Sequence, residues 1–559
     1  MIKKRFFTID FLRGISIFLM IVLHIISDTL DIDSLVAKLD QLPLFQVLLL
    51  VVLPFLGGLA GLFLIISAIG NMISMQRQLA RGDNWKQIML RQVITGSFLL
   101  FFAMLSESIL GYHGTIGEVF LHLNNLKAGT YDQALWRFLF FETVHTIAWC
   151  IIINGIVHAL LIRNEKWRKP STLIIFYSLF AVLALAFTPL MWFISDKLVP
   201  GYPYAIDPAT GKNVEFGVIG ITSFGQFVLR FFLGPLAAMW EPVFPYLTAS
   251  FAGSIFGIYI SQKEEKIKLS FLKKFFFISI AMFVIGIIGV FLNVFLVINN
   301  QGMDAGLNLY LHISEHRYWT TENGVPVVGW LFQFLSLNGF SFCLISVMFR
   351  IVEFRGKGAI FANHTKFIRR LGFIPFTIYN MQYFYNLFYF IVSLVMTDTY
   401  VRLPWSGTII VIILSLAFYH VLTYFWEKIG YFGSMKWIIV FLRNLFIKEP
   451  KQETEKRWWK KDILNVQGNF YNVDWVDLNR NNREKHTESS FALKLSKIGL
   501  FIFPFSLISY FISKEAQKTE MKNGINKKAL ILSIIGSVWS IVFFVFLFSV
   551  KLSTFGIRL

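Results

Sequence analysis

Apolar residues along this chain come in unbroken blocks of roughly 20 or more, about the length of helix that crosses a bilayer's hydrocarbon core. Blocks near 10–27, 44–70, 93–110, 143–162, 173–194, 244–261, 274–297, 328–349, 373–396 and 407–425 predict ten spans. Blocks near 493–512 and 528–550 predict two more. Alternation of apolar and polar residues over about ten positions, the β-barrel signature, is absent from them, so the spans read as helices. A shorter amphipathic stretch from Gln226 to Trp240, ending in Gly234-Pro235 and Glu241-Pro242, reads as an interfacial or re-entrant helix. Residues 447–490 are rich in Lys, Glu, Asn and Trp and read as a solvated segment. The expectation is an all-α polytopic membrane protein. A core of ten helices fills 1–446, a polar cytoplasmic linker 447–490, and a C-terminal transmembrane hairpin of two helices 491–559.

Composition agrees: of 559 residues 56 % are hydrophobic and only 15 % charged, with a mean hydropathy of +0.61. Soluble chains carry about 25 % charged residues, so a soluble enzyme, a disordered chain and a fibrous protein are excluded. The 52 Lys+Arg against 33 Asp+Glu leave a net charge of +19. With Met1 inside, the first five residues and the connections Gln76–Arg91, Arg163–Pro170, Gln262–Lys274 and Arg350–Gly372 hold 22 Lys/Arg. The alternate loops, 28–43, 111–135, 195–225, 298–327 and 397–405, hold 6. That bias predicts cytoplasmic N- and C-termini in the plasma membrane. It assigns the basic excess to topology and to anionic lipid headgroups rather than to nucleic acid. Cys150 and Cys343 lie in apolar runs, with neither disulfide nor metal spacing. The basic N-terminus lacks a small-residue cleavage pattern, which predicts a retained first helix.

Polar groups inside spans are costly and mark function by default. Arg13 and His24 are eleven residues apart, close to three helical turns, and share a face about 16 Å apart. Taken alone, Arg13 is a snorkelling residue paired with Asp10, and His24 a bond to a neighbouring helix. Glu142 and His145 share a face of the fourth span at the level of His24, and Glu107, Arg230, Glu241 and Asn293 are expected there too. A histidine beside a carboxylate is how a general base is oriented and tuned. The bland alternatives are a polar network that locks helices together, or an ion pathway. Glu142-x-x-His145 also fits one half of a di-metal bundle motif, but it occurs once and no metal is expected. His312 and His316 read as silent loop residues, and Asn380 and Gln382 as helix-to-helix hydrogen bonds. Walker, nucleophile-elbow and His-Glu-x-x-His motifs are absent.

Ile9-Asp10-Phe11-Leu12-Arg13-Gly14-Ile15 followed by His24 resembles the opening motif of a superfamily of membrane acyltransferases. That superfamily includes heparan-α-glucosaminide N-acetyltransferase-like proteins and the enzymes that O-acylate surface polysaccharides. The segments Ser67-Ala68-Ile69-Gly70, Glu142-Thr143-Val144-His145-Thr146-Ile147 and Trp240-Glu241-Pro242-Val243-Phe244-Pro245 are similar to prokaryotic members, and the likeness covers about 1–430. It implies transfer of an acyl group, acetyl above all, from cytoplasmic acyl-CoA to an extracytoplasmic sugar or glycolipid. His24 matches the motif histidine of the polysaccharide branch and would be general base or transient acyl carrier. Glu142 and His145 would orient it or relay protons, and Arg13 with Arg91 would meet the phosphates of acetyl-CoA. Asp28, Glu107, Arg230 and Glu241 would face the acceptor. The rival reading is a proton-coupled transporter or flippase of a small or lipid-linked substrate that uses the same polar groups.

Overall fold

Ten helices among the described residues are long and apolar enough to cross a membrane. The computed structural model describes residues 4–38, 41–199, 204–206, 213–215, 223–447, 474–479, 487–551 and 554. In chain order the principal helices are α1 (Phe7–Thr29), α2 (Leu44–Gly57), α3 (Ala60–Arg81), α4 (Trp85–Leu105), α5 (Thr143–Arg163) and α6 (Pro170–Leu198). They continue with α7 (Phe224–Leu233), α8 (Val243–Ile260), α9 (Leu269–Gln301) and α10 (Gly329–Ile351). Next come α11 (Lys366–Phe373), α12 (Pro375–Met381), α13 (Tyr385–Thr397), α14 (Trp405–Lys428) and α15 (Met435–Phe446). The last three are α16 (Glu488–Gly499), α17 (Phe503–Thr519) and α18 (Gly524–Ser549). One small β-ladder pairs Tyr204–Ile206 antiparallel with Asn213–Glu215.

The chain divides into two compact units, 1–30 with 54–477 and 31–53 with 478–559. In the first, α1 packs against α3, α11, α12 and α14. Its contact with α11 is backbone to backbone. A Cβ on Gly14 would come 1.9 Å from the Ile368 carbonyl oxygen, and one on Gly372 2.6 Å from that of Asp10. Only glycine fits between helices this close, which is the physical content of the Arg13-Gly14 pair. The first amides of α1 lack partners within the helix. The buried carboxylate of Glu353, 345 residues away, accepts from Thr8 N at 2.8 Å and from Thr8 Oγ1 at 2.6 Å. Negative charge at a helix N-terminus is favoured by the helix dipole as well. α9 and α10 close by the same small-residue device, with Gly286 against the Ser336 backbone and Gly339 against that of Phe283.

Two predicted spans are broken. The block at 373–396 is α12, a 3-10 turn over Gln382–Phe384, and α13. Such a break leaves carbonyls without helical partners, which a membrane interior penalises. The buried Tyr419 hydroxyl of α14 lies 2.9 Å from the Met381 carbonyl and 3.0 Å from that of Gln382, and so satisfies them. The block at 493–512 is interrupted where Pro504 starts α17, because proline is tolerated only in a helix's first turn. The expected C-terminal hairpin is therefore three helices, of which α18 alone is long and apolar enough to span. Of the expected linker, 448–473 and 480–486 lie outside the described residues. Its described part pairs with the N-terminus: Arg5 N donates to Asp474 O at 2.8 Å and Val476 N to Arg5 O at 3.0 Å.

Candidate functional site

At the end of the bundle where α1 begins, a cavity of about 250 Å³ is lined by Arg77 and Arg81 of α3, Arg91 of α4 and Arg443 of α15. Gly70 and Ser74 form its wall on α3. Arg77 Nη2 donates to the Lys4 carbonyl at 2.7 Å, and Arg91 Nη1 to Asp83 Oδ2 at 3.2 Å. Four guanidinium groups give the cavity a strongly basic lining, the chemistry that suits phosphate or carboxylate. Arg13 lies beside it, with Nη2 3.0 Å from where a Cβ on Gly70 would stand. Asp10, the partner expected for Arg13, is instead 3.6 Å from Arg5. Among the described residues no carboxylate reaches ion-pair distance of Arg13.

The far end of α1 enters a second constellation. Tyr379, at the broken ninth span, donates its hydroxyl to Glu107 Oε1 at 2.7 Å and lies 3.0 Å from Glu142 Oε2. His113 Nε2 is 3.8 Å from Glu142 Oε1. The hydroxyls of Tyr112 and Tyr385 both bond to Asp28 Oδ2. The Tyr112 ring stands 5.1 Å from that of His24 and 4.5 Å from that of His113. Nδ1 of His24 is buried and makes no hydrogen bond. Thr143 Oγ1 donates to Glu241 Oε2 at 2.6 Å, and Thr146 Oγ1 to the Glu241 carbonyl at 2.6 Å. His24, Asp28, Glu107, Glu142 and Glu241 thus belong to one far-end region, joined through tyrosines and threonines.

One residue departs from the sequence expectation. His145 does not turn an imidazole nitrogen to the Glu142 carboxylate. Its Nδ1 accepts the Glu142 main-chain N–H at 3.2 Å, because Glu142 caps α5 and His145 is the third residue on. The proton is then on Nε2, and the histidine that meets the carboxylate is His113. Arg230 is buried on α7, where Gly234 one turn later fits against the Phe141 ring. Asn293 is buried on α9, beside Gly329 at the start of α10.

Tyr112, His113, Tyr379 and Tyr385 escape sequence reasoning, which assigns aromatics to packing. A signal exists in Gly111-Tyr112-His113-Gly114-Thr115-Ile116-Gly117. Each glycine touches the backbone of the preceding turn, with a Cβ on Gly117 only 1.9 Å from the Tyr112 carbonyl. Just before it, Ser106–Leu110 is a π-helical turn that carries Glu107, and such turns recur at functional sites.

Glu241 carries a further mark. Its φ of 26° lies where side-chain-bearing residues rarely sit, at a cost of about 1–3 kcal/mol that only a rigid surround sustains. The surround includes the pairing of Trp240 with Glu315 and the ring contact of Tyr246 with His316 at 4.9 Å. His316 is therefore no silent loop residue. It is fully buried with Nδ1 3.2 Å from Gln333 Nε2, and burial pushes its imidazole down to about 3.

Between the two ends, α5 presents Thr146, Cys150, Asn154 and His158 at four-residue spacing. Asn154 Nδ2 donates to Ser250 Oγ of α8 at 2.5 Å, and Ser254 Oγ to Asn154 Oδ1 at 3.2 Å. The void here, lined by Ser67, Asn71, Cys150, Asn154 and Ser250, measures about 10 Å³, room for a single water. Among the described residues no three His, Cys, Asp or Glu side chains are grouped as metal ligands.

Comparison of the chain with protein-family models, with curated proteins and with solved structures finds no match. The sequence and the fold together establish a multi-span helical membrane protein with a basic cavity at one end and a carboxylate–tyrosine–histidine cluster at the other.

Proposed function

We propose that this protein is an integral-membrane acyltransferase. It moves an acyl group, acetyl above all, from acyl-CoA at the basic end to a hydroxyl or amine of a sugar or glycolipid at the far end. The observation that carries this reading is that α1 bears both halves of the site. Arg13 lies beside the four-arginine cavity, and His24, about 16 Å along the same face, enters the polar cluster. The lysine and arginine bias of the loops supports a cytoplasmic basic end.

In the reaction His24 takes the proton of the acceptor hydroxyl as its oxygen attacks the thioester carbonyl. The carbon–sulfur bond breaks, and the departing thiolate receives that proton from the imidazolium. Asp28, one turn along α1 and held by two tyrosine hydroxyls, balances the positive charge while it exists. Glu142, Glu107 and Tyr379 hold the acceptor. Passage of the thioester arm would run between α3, α5 and α8, past a void of about 10 Å³. The polar ladder of α5 at that void favours the rival reading, a proton-coupled transporter or flippase in which it carries protons.

Purified protein in liposomes with labelled acetyl-CoA and glucosamine separates the two. The expected result is acetylated glucosamine, lost at least 100-fold in His24→Ala while the protein still purifies folded. Full transfer by His24→Ala removes His24 from the chemistry. Absence of acetyl-CoA consumption by wild type, together with substrate flux that follows a pH gradient, establishes the transporter instead.

A further inference from the structure

The loop Ile313–Trp319 is built more firmly than a connection requires. His316 and Trp319 are fully buried, and Trp319 Nε1 donates to the His312 carbonyl at 3.1 Å. Gln333 of α10, also fully buried, donates to the Ile313 carbonyl and stands 3.2 Å from His316 Nδ1. Buried amides are expensive unless their hydrogen bonds are used, so this one pins the loop to α10. The loop in turn grips the segment that carries Glu241 at two places. Glu315 pairs with Trp240 immediately before Glu241, and the His316 ring packs on Tyr246 in the first turns of α8 just after it. Glu241 between these grips keeps a positive φ, and Thr143 and Thr146 hold its carboxylate and its carbonyl. The charged and titratable groups facing this segment are Glu142 and His145 from the start of α5, Tyr246 from α8, and Glu315 and His316 from the loop.

We propose that His316 is a positioning residue for Glu241. With Gln333 it fixes the 313–319 loop, and the loop holds the Glu241 segment in the strained backbone that points its carboxylate into the far-end cluster, where it binds a hydroxyl of the acceptor. The identity of that hydroxyl rests on the acyltransferase reading; the mechanical link from His316 to Glu241 does not. The chemistry is that of a neutral polyol: a carboxylate accepts from a sugar hydroxyl, with threonine and tyrosine hydroxyls beside it.

The test uses the full chain in liposomes and two readouts. The infrared carboxyl band of Glu241, identified by its loss in Glu241→Gln, is expected to shift in His316→Ala. It should return in His316→Asn, whose amide reaches the position of the ring Nδ1. With glucosamine as acceptor probe, His316→Ala is expected to lower kcat/KM for the acceptor about 10- to 100-fold, the scale of an ångström-level misplacement. KM for acetyl-CoA should stay within twofold. A folded His316→Ala protein with an unmoved band and unchanged acceptor kinetics overturns the proposal. Should His316→Ala fail to fold, Gln333→Leu decides in its place: a shifted band supports the link, and an unmoved one overturns it. Should wild type fail to acetylate glucosamine, the acyltransferase reading loses its support, while the band still decides the role of His316.

Discussion

The Arg13 guanidinium lies over Gly70, so close that a Cβ built on that glycine would come 3.0 Å from Arg13 Nη2. Gly70 is also a wall of the four-arginine cavity, so a single position ties Arg13 to that basic cavity. On the proposed acyltransferase function, Gly70→Leu is expected to displace Arg13 and weaken acetyl-CoA binding about tenfold, which is about 1.4 kcal/mol. Titration calorimetry on the purified protein checks this, with unchanged gel-filtration behaviour as the folding control. An unaltered affinity would separate Arg13 from the donor site.

Tyr379 is the hydrogen-bond donor shared by Glu107 and Glu142, which sit 272 and 237 residues from it in the chain. Tyr379→Phe deletes a polar partner that buried Glu107 and half-buried Glu142 share, and such deletions cost more than the mean hydrogen bond. Acetyl transfer should fall about 100-fold. A second change, Glu107→Gln, should recover part of it by removing one of the two facing charges. Transfer kinetics of the two variants give the answer, and equal rates in Tyr379→Phe and wild type would sink the shared-donor role.

Arg370 Nε donates to Glu427 Oε2 at 2.8 Å, and both side chains are almost wholly buried where α11 meets α14. Removing one partner of a buried pair deprives the other of its nearest counter-charge, so Glu427→Ala should cost about 3–5 kcal/mol. Replacing both with apolar residues, Arg370→Met with Glu427→Leu, should restore most of that stability. Thermal unfolding in detergent followed by intrinsic fluorescence distinguishes the two. A double variant as unstable as the single one would show that the pair does more than satisfy itself.

His316 has its imidazole pushed by burial from about 6.5 to about 3. Between those values the unfolded chain binds a proton that the folded protein does not, so stability must rise with pH across this window. It is lost as pH falls, at up to about 1.4 kcal/mol per unit. His316→Asn, which has no such proton to bind, should show a flatter stability profile between pH 4 and 6.5. Melting temperatures measured in that range test it, and parallel profiles for the two proteins would contradict the assignment.

Much of the architecture was written in local pattern. Hydropathy is summed over a window, and a window is enough to say that residues such as 7–29 or 269–301 form helices able to span. The same local logic fails at 373–396, because the break after Met381 is stabilised by Tyr419 from another helix. It also fails at 493–512, where Pro504 was present but hidden within a continuous apolar run. At the candidate site, charged residues in apolar surroundings stood out by their cost, and so Arg13, His24, Glu107, Glu142 and Glu241 could be named. Tyr112, Tyr379 and Tyr385 could not, since nothing local separates a tyrosine that packs from one that donates to a buried carboxylate. The Glu142–His145 pair shows a related ambiguity. A Glu-x-x-His spacing serves a capping contact as well as it serves catalysis, and at the start of α5 it supplies the capping contact.

The sequence by itself determined that the chain crosses a membrane several times as helices, that its basic residues concentrate in alternate loops, and which few charges sit within apolar surroundings. Those are properties of single segments in a solvent, set by transfer energies and helical period. Only the tertiary structure decided that four arginines from three helices share one cavity, that the imidazole of His113 faces the Glu142 carboxylate while that of His145 takes the Glu142 main-chain N–H, and that a loop 75 residues downstream borders the strained Glu241. These are pairings between segments far apart in the chain. They depend on which glycines let helices touch and which buried polar groups must find partners, and no window along the sequence contains both halves of such a pair.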